Sequence, residues 1–587
     1  MKNIVPSSLL VRVAACATAS ILNFTHALAA NGSWLGAEDA AWTNSANWSA
    51  SPYPGNAVGE SASFDGAGNG NTVIDLAGLS SILNVTFGQS AAAYTLGAGA
   101  VGSQTLTIEN SGRIAMSANA TADQTVSAAV RLGTTTASAT YTFTNANANQ
   151  TLTLAGPITG GAEGGTAGAK TLILTGYGKV VLNGVLSNGG STGITLASYG
   201  TNTLAGDNTF SGNITVYDGT LRLTHSNALG LGAKTISANN NVNGRNPSIV
   251  LDGSAGDLTI PTNITFQTSN QRAGAVINEA GNNTILGNFT LTTGDGNTHL
   301  WSKGGKLTIA GNITPNATSR QLNLRGDADG EISGVIANGT TVNLPIVKDV
   351  GTGAWTLSGS NTFSGAITVS SGAITFAGEK GSATAAASIN LFTNGTLVLR
   401  NTLAANHPNR IGDTTPIILR GGTLAFSNDG SAADFAETVG PLTATSGLVT
   451  VSTAAAAAGQ TSTLTISSLS CGPNATLNFT GPGLGESNRN KIIINGQADG
   501  PLGTWATVNG TAPALYSSTR GVYAEATTGL AAKGDTLTDG AGNLVITTEG
   551  AGGPNALSDT VTAIASLSQN SPYASTVDTA DKTLRAG

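Results

Sequence analysis

The chain has few charged side chains. Charged residues make up 10% of its 587 residues, against about 25% in ordinary globular proteins. Lysine and arginine together number 25 and the acidic residues 32, so the formal net charge is −7. A mildly acidic chain with sparse basic side chains lacks the charge that attracts phosphate backbones, which predicts that nucleic acid is not a partner.

Cysteine and long apolar runs are also nearly absent. Near the N-terminus, Lys2 and Arg12 accompany a short apolar run that ends in small residues at Ala29, and this pattern predicts a signal peptide over residues 1–29. Its removal takes the charge from −7 to −9 and leaves Cys471 alone, which excludes an internal disulfide. No later window holds the ~18 apolar residues of a spanning helix, so we expect no transmembrane segment in this chain.

Glycine, threonine, asparagine, serine and alanine dominate what is present. There are 79 glycines, and 40% of the residues are hydrophobic. Disordered chains combine low hydrophobicity with high charge, so this composition favours a packed structure. Abundant β-branched residues with glycine and asparagine between them predict short strands joined by tight turns.

One segment occurs twice. Residues 203–223 read TLAGDNTFSGNITVYDGTLRL and residues 356–376 read TLSGSNTFSGAITVSSGAITF, with 12 of 21 positions identical at an offset of 153. Each copy alternates apolar with threonine or serine side chains, which gives a strand one buried and one wet face. Such strands bury their apolar faces by stacking on neighbours, and an offset of about seven coils would superpose equivalent positions.

The pattern therefore predicts an all-β fold, a right-handed parallel β-helix (β-solenoid) of about 20–25 residues per coil. We expect one aromatic residue in each copy, Phe210 and Phe363, to occupy equivalent places. The residues expected to point inward are Ile214, Val216, Leu221, Leu223, Ile367, Val369, Ile374 and Phe376.

These residues resemble the autotransporter-associated β-strand repeat, also called the passenger-associated transport repeat. Residues 348–376, which begin KDVGTGAWTLSGSNTFSG, match that unit well, residues 203–223 nearly as well, and residues 174–184 match its first half. The tryptophan-rich start of the mature chain and residues 503–510 are similar to segments of large secreted proteins of this class. The resemblance implies a passenger exposed at the cell surface.

Such proteins end in a membrane β-barrel built from many alternating strands. Residues after Val508 do not show that pattern. We therefore expect either a fragment of a longer protein or another export route.

The expected organisation has four parts. They are a signal peptide (1–29), a tryptophan-rich cap with the first strands (30–80), a solenoid (81–549) and a polar tail that looks truncated (550–587).

Several residues are candidates for catalysis or metal binding, and each has a simpler explanation. His225, His299 and His407 are isolated among turn residues, which is typical of surface turns. Asp327, Asp329 and Glu331 form the densest acidic cluster and could ligate Ca²⁺, but they lack the fuller pattern of a calcium loop, and a solvated turn is expected. The same reading applies to Asp535 with Asp539 and to the glycine turn at 65–70.

The remaining candidates are a serine, a cysteine and three tryptophans. Ser358 lies inside the repeat, which explains it without a nucleophile elbow. Cys471 has no histidine nearby in sequence, which favours a small packed side chain. Trp34, Trp42 and Trp48 could stack on a sugar, but we expect them to plug the end of the solenoid.

We therefore predict no catalytic, cofactor-binding or metal-binding residues. The expected function is a secreted or cell-surface structural or adhesin-like passenger protein that contacts surface glycans or other cell-surface components. The alternative is a carbohydrate-active β-helix enzyme or a glycan-binding protein. A convergent Asp/Arg/Lys cluster on one face would favour the alternative, and faces lined by Thr, Asn and Ser would favour the passenger.

Overall fold

The computed structural model shows a chain built almost entirely of parallel strands, stacked in a β-solenoid of about 17 turns. It describes residues 31–161, 168–239, 245–269, 274–292, 297–316 and 321–524, and the backbone of Thr576–Asp578 and Thr583–Arg585. The predicted signal peptide, and the predicted tail apart from those two strands, lie outside the described residues. Within the described ranges, the only helical turns are short 3₁₀ turns at Ser45–Asn47 and Gly68–Gly70, and no helix could cross a membrane.

Each coil passes through three faces, which we call the first, second and third face. The first face is one continuous parallel ladder. Its separate strands are Val73–Ile74, Thr95–Leu96, Gln124–Val126, Thr151–Leu154, Lys179–Leu182, Thr201–Leu204, Thr220–Leu223, Ser248–Asp252, Val276–Ala280, Thr298–Ser302, Leu322–Arg325 and Ile346–Val350.

The second face follows the first along each coil. Its separate strands are Ala129–Leu132, Ile158–Gly160, Leu186–Ser187, Thr259–Ile260, Asn283–Ile285, Leu307–Ile309, Gly330–Ile332, Ala354–Leu357 and Ala506–Val508. In the later coils, long strands run through the first and second faces without a break. They are Ile367–Phe376, Ile389–Arg400, Ile417–Ser427, Leu442–Thr453 and Leu469–Thr480.

The third face completes the coil. Its strands are Gly32–Ser33, Ser61–Phe64, Ile82–Phe87, Ala139–Asn145, Lys170–Thr175, Ile194–Ser198, Ile214–Val216, Lys234–Asn239, Ile264–Ser269, Phe289–Leu291 and Ile313–Pro315, and Thr105–Met116 spans the second and third faces. This ladder ends at Ile313–Pro315 and gives way to single bridges, such as Ile313 with Ile336. A separate ladder of Phe435–Val439, Ser462–Ile466 and Lys491–Ile494 takes the same place in the last coils.

Apolar side chains fill the interior of the solenoid. All eight residues predicted to point inward are fully buried, which confirms the strand register read from the sequence. The outward positions between them carry threonine, apart from Arg222, so each strand shows the alternation of one buried and one wet face.

Coil length is less regular than the sequence predicted. Leu204 pairs with Leu223, a step shorter than the predicted range, whereas Leu223 pairs with Leu251, a step longer than that range. The lengths of the coils therefore spread beyond the prediction on both sides. The pairing also shifts by a residue within some strands, as between Leu251 and Asp252 and between Leu324 and Arg325.

An aromatic cluster packs inside the first described coils. The Trp42 and Trp48 rings lie 4.8 Å apart, and Phe64 packs against both and against Tyr94. The Trp42 indole N–H donates to the carbonyl of Pro54 at 2.6 Å. Both polar and apolar parts of this indole are therefore satisfied inside the first coil.

The stacking changes direction at the other described end. Ala506–Val508 still pairs in parallel with the preceding coil, but Ala512–Ser517 runs antiparallel to it, and Gly521–Ala524 runs antiparallel to Ala512–Ser517. Antiparallel strands of this kind lie over a parallel coil without continuing its ladder.

Candidate functional surfaces

The two sequence repeats make the same local structure. Leu204 pairs with Leu223 in the first copy and Leu357 with Phe376 in the second, and the separation along the chain is the same in both pairs. Each repeat therefore brings its first strand beside its last strand, one coil further on.

A buried asparagine joins three coils in each repeat. The Asn361 side chain accepts the N–H of Ile336 at 3.0 Å and donates to the carbonyl of Ser382 at 2.9 Å. Asn208 makes the same two bonds, to the N–H of Leu186 at 2.7 Å and to the carbonyl of Ala228 at 2.7 Å. Two residues further on, Phe210 and Phe363 are fully buried and donate their N–H to the preceding coil, so their local environments agree.

The two copies nevertheless lie on different faces. Leu204 belongs to the first face, whereas Leu357 belongs to the second. The prediction that the 153-residue offset superposes equivalent positions is therefore wrong. The ladder from Leu204 reaches the neighbourhood of Val350 after six coils, because several of these coils are longer than expected, and the remaining residues carry Leu357 onto the next face.

Buried lysines hold the turns between faces. Lys348, which begins the better-matching repeat, is fully buried, and its Nζ donates to the carbonyls of Val350 at 2.9 Å and Gly351 at 2.6 Å. Burial lowers its pKa to about 8, while the carboxylates of Asp349 and Asp327 act in the opposite direction. Lys234 binds turn carbonyls in the same way. The amino groups of both lysines therefore bind backbone carbonyls inside the fold.

The two aspartates of the predicted acidic cluster bind the backbone of the next coil. The carboxylates of Asp327 and Asp329 accept the backbone N–H groups of Thr352 and Ala354 in the next coil, at 3.0 and 2.9 Å. Within the described part of the chain, no three His, Cys, Asp or Glu residues are placed to hold a metal ion. Asp535 and Asp539 lie outside that part.

Glu331 is engaged separately from the two aspartates. Its carboxylate contacts Lys306 Nζ at 2.5 Å and accepts the Ser358 hydroxyl at 2.7 Å. Burial acts to raise its pKa, but the bonds from Lys306 and Ser358 leave the pKa below its usual value. Ser358 therefore contacts an ionised carboxylate and no histidine that could activate it.

Two of the histidines lie in turns, as expected. Nδ1 of His225 accepts the N–H of Asn227 at 3.1 Å, and Nδ1 of His407 accepts that of Asn409 at 3.2 Å. Burial and the charge of Arg410 lower the pKa of His407, which keeps it neutral near pH 7.

The third histidine belongs to a polar network that the sequence did not indicate. Arg325 makes two bonds to Asp349, at 2.8 and 2.5 Å, and its Nη1 lies 3.1 Å from Nδ1 of His299. Asn323 donates to the same carboxylate at 3.0 Å, and the guanidinium carbon lies 5.9 Å from the centre of the Trp301 ring. These residues come from three successive coils on the outside of the first face.

The bonds from Arg325 hold the network together and also limit the acid–base chemistry of Asp349. Burial acts to raise the pKa of Asp349, but bonding to Arg325 leaves it below its usual value. The carboxylate is thus ionised and cannot serve as a general acid near neutral pH. The pairing register between successive coils is the signal that would have brought these positions together, and it is visible only once the coil length is known.

The remaining candidates are packed. Cys471 is half-buried, and burial raises the pKa of its thiol, so it is not an activated nucleophile. Trp34, Trp42 and Trp48 expose no more than 4% of their surface, and this leaves no open ring for a sugar to stack on.

Comparison with known proteins agrees with these repeats. The sequence pattern described as Passenger-associated-transport-repeat matches residues 197–223 and 350–375. The chain carries the passenger-associated-transport repeat. The matched residues include both bridging asparagines, Asn208 and Asn361, and both buried phenylalanines.

One curated relative is an adhesin. The chain is 41% identical over 122 residues to the "Adhesin BmaC autotransporter" of Brucella suis biovar 1 (strain 1330). The similar part covers 19% of this chain and 4% of the relative, so the chain corresponds to a small fraction of that protein's length. No solved structure matches this chain.

The structure explains why the passenger-associated-transport repeats carry glycine and asparagine. Glycines turn the chain at a corner, as at Gly351 (φ +84°), and the asparagine ties one coil to two others. The repeat thus marks a short coil among longer ones.

Proposed function

We propose that this chain is part of an exported cell-surface passenger: a rigid rod with a structural or adhesin-like role and no catalytic site. The observation that carries the proposal is that the passenger-associated-transport repeats form coils of one continuous solenoid. Similarity to an adhesin autotransporter supports the same reading.

The use of the polar side chains also supports a rod. Carboxylates, amides and amines bind the backbone of neighbouring coils, as Asp329, Asn361 and Lys234 do. A solenoid stabilised in this way gives length and many repeated weak contacts, which suits adhesion by avidity better than turnover in one deep pocket.

A carbohydrate-active enzyme is the second candidate. The observation in its favour is the outward cluster of His299, Arg325 and Asp349 beside Trp301. Hydrolysis of a glycosidic bond usually needs two carboxyl groups, one of them protonated. Asp349 is held ionised by Arg325, which makes a purely binding role the better fit for this cluster.

Two measurements test the proposal. An antibody against the purified chain should label intact cells of the source bacterium, and labelling that needs permeabilisation would contradict surface exposure. The purified chain should release no product from neutral glycans or polyuronides. Turnover that is lost in Asp349→Asn would replace the passenger proposal with the enzyme.

A further inference from the structure

The outer side of the third face carries an array of mainly polar side chains, which Ile173 and Ala197 interrupt. We define the threonine face as the outward residues of the eight strands from Ala139–Asn145 to Ile313–Pro315, in two columns that follow the ladder. One column is Thr140, Thr171, Thr195, Asn213, Thr235, Thr265, Asn288 and Asn312. The other is Thr142, Ile173, Ala197, Thr215, Ser237, Gln267, Thr290 and Thr314.

The threonine face carries no charge in either column. Lys170 and Lys234, which lie on the same strands, point inward and are buried. The first face of the same coils is different, because the ion pair of Arg222 with Asp252 stands on its outer side. Among the described residues, the two columns of the threonine face are therefore uncharged, whereas the outer side of the first face is not.

The asparagines of this face stabilise the array from within. Asn213 accepts the N–H of Thr235 at 2.9 Å, and Asn288 accepts that of Asn312 at 2.9 Å. The second column includes Thr215 and Thr290, which are half-exposed and alternate with buried core residues. The hydroxyls and methyl groups of that column are thus presented outward on a rigid support.

The spacing of the array suits a linear partner. Successive coils are about 4.8 Å apart, so the eight strands form a strip roughly 35 Å long. An extended β-linked glycan repeats its sugar units at close to the coil spacing, and each unit offers hydroxyl groups together with apolar C–H faces. A charged polymer would lose hydration on this strip without meeting an opposite charge.

We propose that the threonine face is a docking surface for neutral, extended β-linked glycans. The inference deepens the proposed adhesin-like function and rests on it for its biological setting. Each coil contributes one weak contact, and a glycan chain aligned with the rod makes several at once, which gives useful affinity without a pocket.

The test compares two charge-matched double variants of the full purified chain. Thr215→Lys with Thr290→Lys places two charges on the threonine face, and Thr153→Lys with Thr203→Lys places two at outward positions of the first face. Binding is measured on insoluble cellulose and chitin, with starch and polygalacturonate as α-linked and charged comparisons. Wild type should bind the two β-glycans, the first variant should lose at least about tenfold in affinity, and the second should stay near wild type.

Other results would overturn the proposal. Equal loss in both variants would show a non-specific charge effect, and preference for polygalacturonate would exclude a neutral ligand. Concentration-dependent dimers that the first variant abolishes would assign the face to a second copy, and shaping of ice crystals without glycan binding would assign it to ice. Circular dichroism and the melting temperature show whether each variant is folded. Surface labelling of cells can fail while glycan binding persists, which separates this inference from the proposed function.

Discussion

At the scale of single residues, Glu437 shows how the solenoid accommodates a titratable side chain inside its core. It stands at an inward position of Phe435–Val439 and is 1% exposed. Its oxygens accept the N–H groups of Arg410 at 2.8 and 3.1 Å and of Ile411 at 3.2 Å. Among the described residues, the coil that contains Arg410 and Ile411 has no strand on the third face. The Glu437 side chain therefore accepts backbone N–H groups that a neighbouring strand would otherwise pair.

Burial raises the pKa of Glu437 to about 8 from its usual 4.5, and the bonds from Ile411 and Arg410 oppose the rise without cancelling it. Between those two pH values the folded chain binds a proton that the unfolded chain has lost. This contribution to the free energy of unfolding is therefore fully present below about pH 4.5 and is lost as the pH rises toward about 8.

The variant Glu437→Gln removes this titration. Urea denaturation of wild type should show a free energy of unfolding that falls between pH 4.5 and 8 more steeply than that of the variant. Parallel curves would mean that Arg410 keeps the carboxylate ionised in the folded chain.

Residue roles could be predicted where the sequence repeats, and less well elsewhere. The alternation around Ile214 and Ile374 predicted their burial correctly, because strand period and burial are tied locally. Arg410 and Glu437 are far apart in the sequence and meet only through the stacking of coils, so no sequence signal pointed to them. The same reason hid the contact of Arg325 with Asp349.

At the scale of elements, the bridging asparagine sets the geometry of a repeat. Asn361 lies in the turn after Ala354–Leu357 and ties that coil to the coils on both sides. The Ser382 carbonyl also accepts the N–H of Asn361, so it keeps a partner if the side chain is removed. The N–H of Ile336, in contrast, donates to the Asn361 side chain, so it loses its partner when that side chain is removed.

Asn361→Ala should therefore reduce the free energy of unfolding by about 1–3 kcal/mol, the usual cost of an unsatisfied buried donor. Asn208→Ala should cost a similar amount, since Asn208 makes the same two bonds. Asn390→Ala, at a half-buried outward position, serves as the control and should change stability little. Equal effects of Asn361→Ala and Asn390→Ala in denaturation would contradict the bridging role.

At the scale of the whole molecule, coil length decides which face a residue reaches. The solenoid class follows from alternation and repetition, which are visible in the sequence. The face on which each repeat lies depends on the sum of all turns between them, and coils both shorter and longer than the predicted length occur. A small error in the predicted length of each coil therefore adds up, between Leu204 and Leu357, to a displacement of one face.

Stacking also limits how far a local change is felt. Each coil contacts mainly its neighbours, so stability behaves as a chain of nearest-neighbour terms. Loss of a ring from the aromatic cluster in the first coils should then loosen the N-terminal coils and leave distant coils intact. Trp42 is the best probe, because its ring is fully buried and its N–H is bonded to Pro54.

Trp42→Ala should destabilise the first coils by about 3–5 kcal/mol, the usual cost of truncating a buried tryptophan. Hydrogen exchange should then accelerate in Ser61–Phe64, which packs against this cluster, and in Ile82–Phe87, which pairs with that strand, and stay at wild-type rates in Leu442–Thr453. Tyr177→Ala is the matched control, because that ring is 86% exposed and its loss removes little packing. Faster exchange along the entire solenoid in Trp42→Ala would show instead that the rod unfolds as one cooperative unit, which nearest-neighbour stacking does not predict.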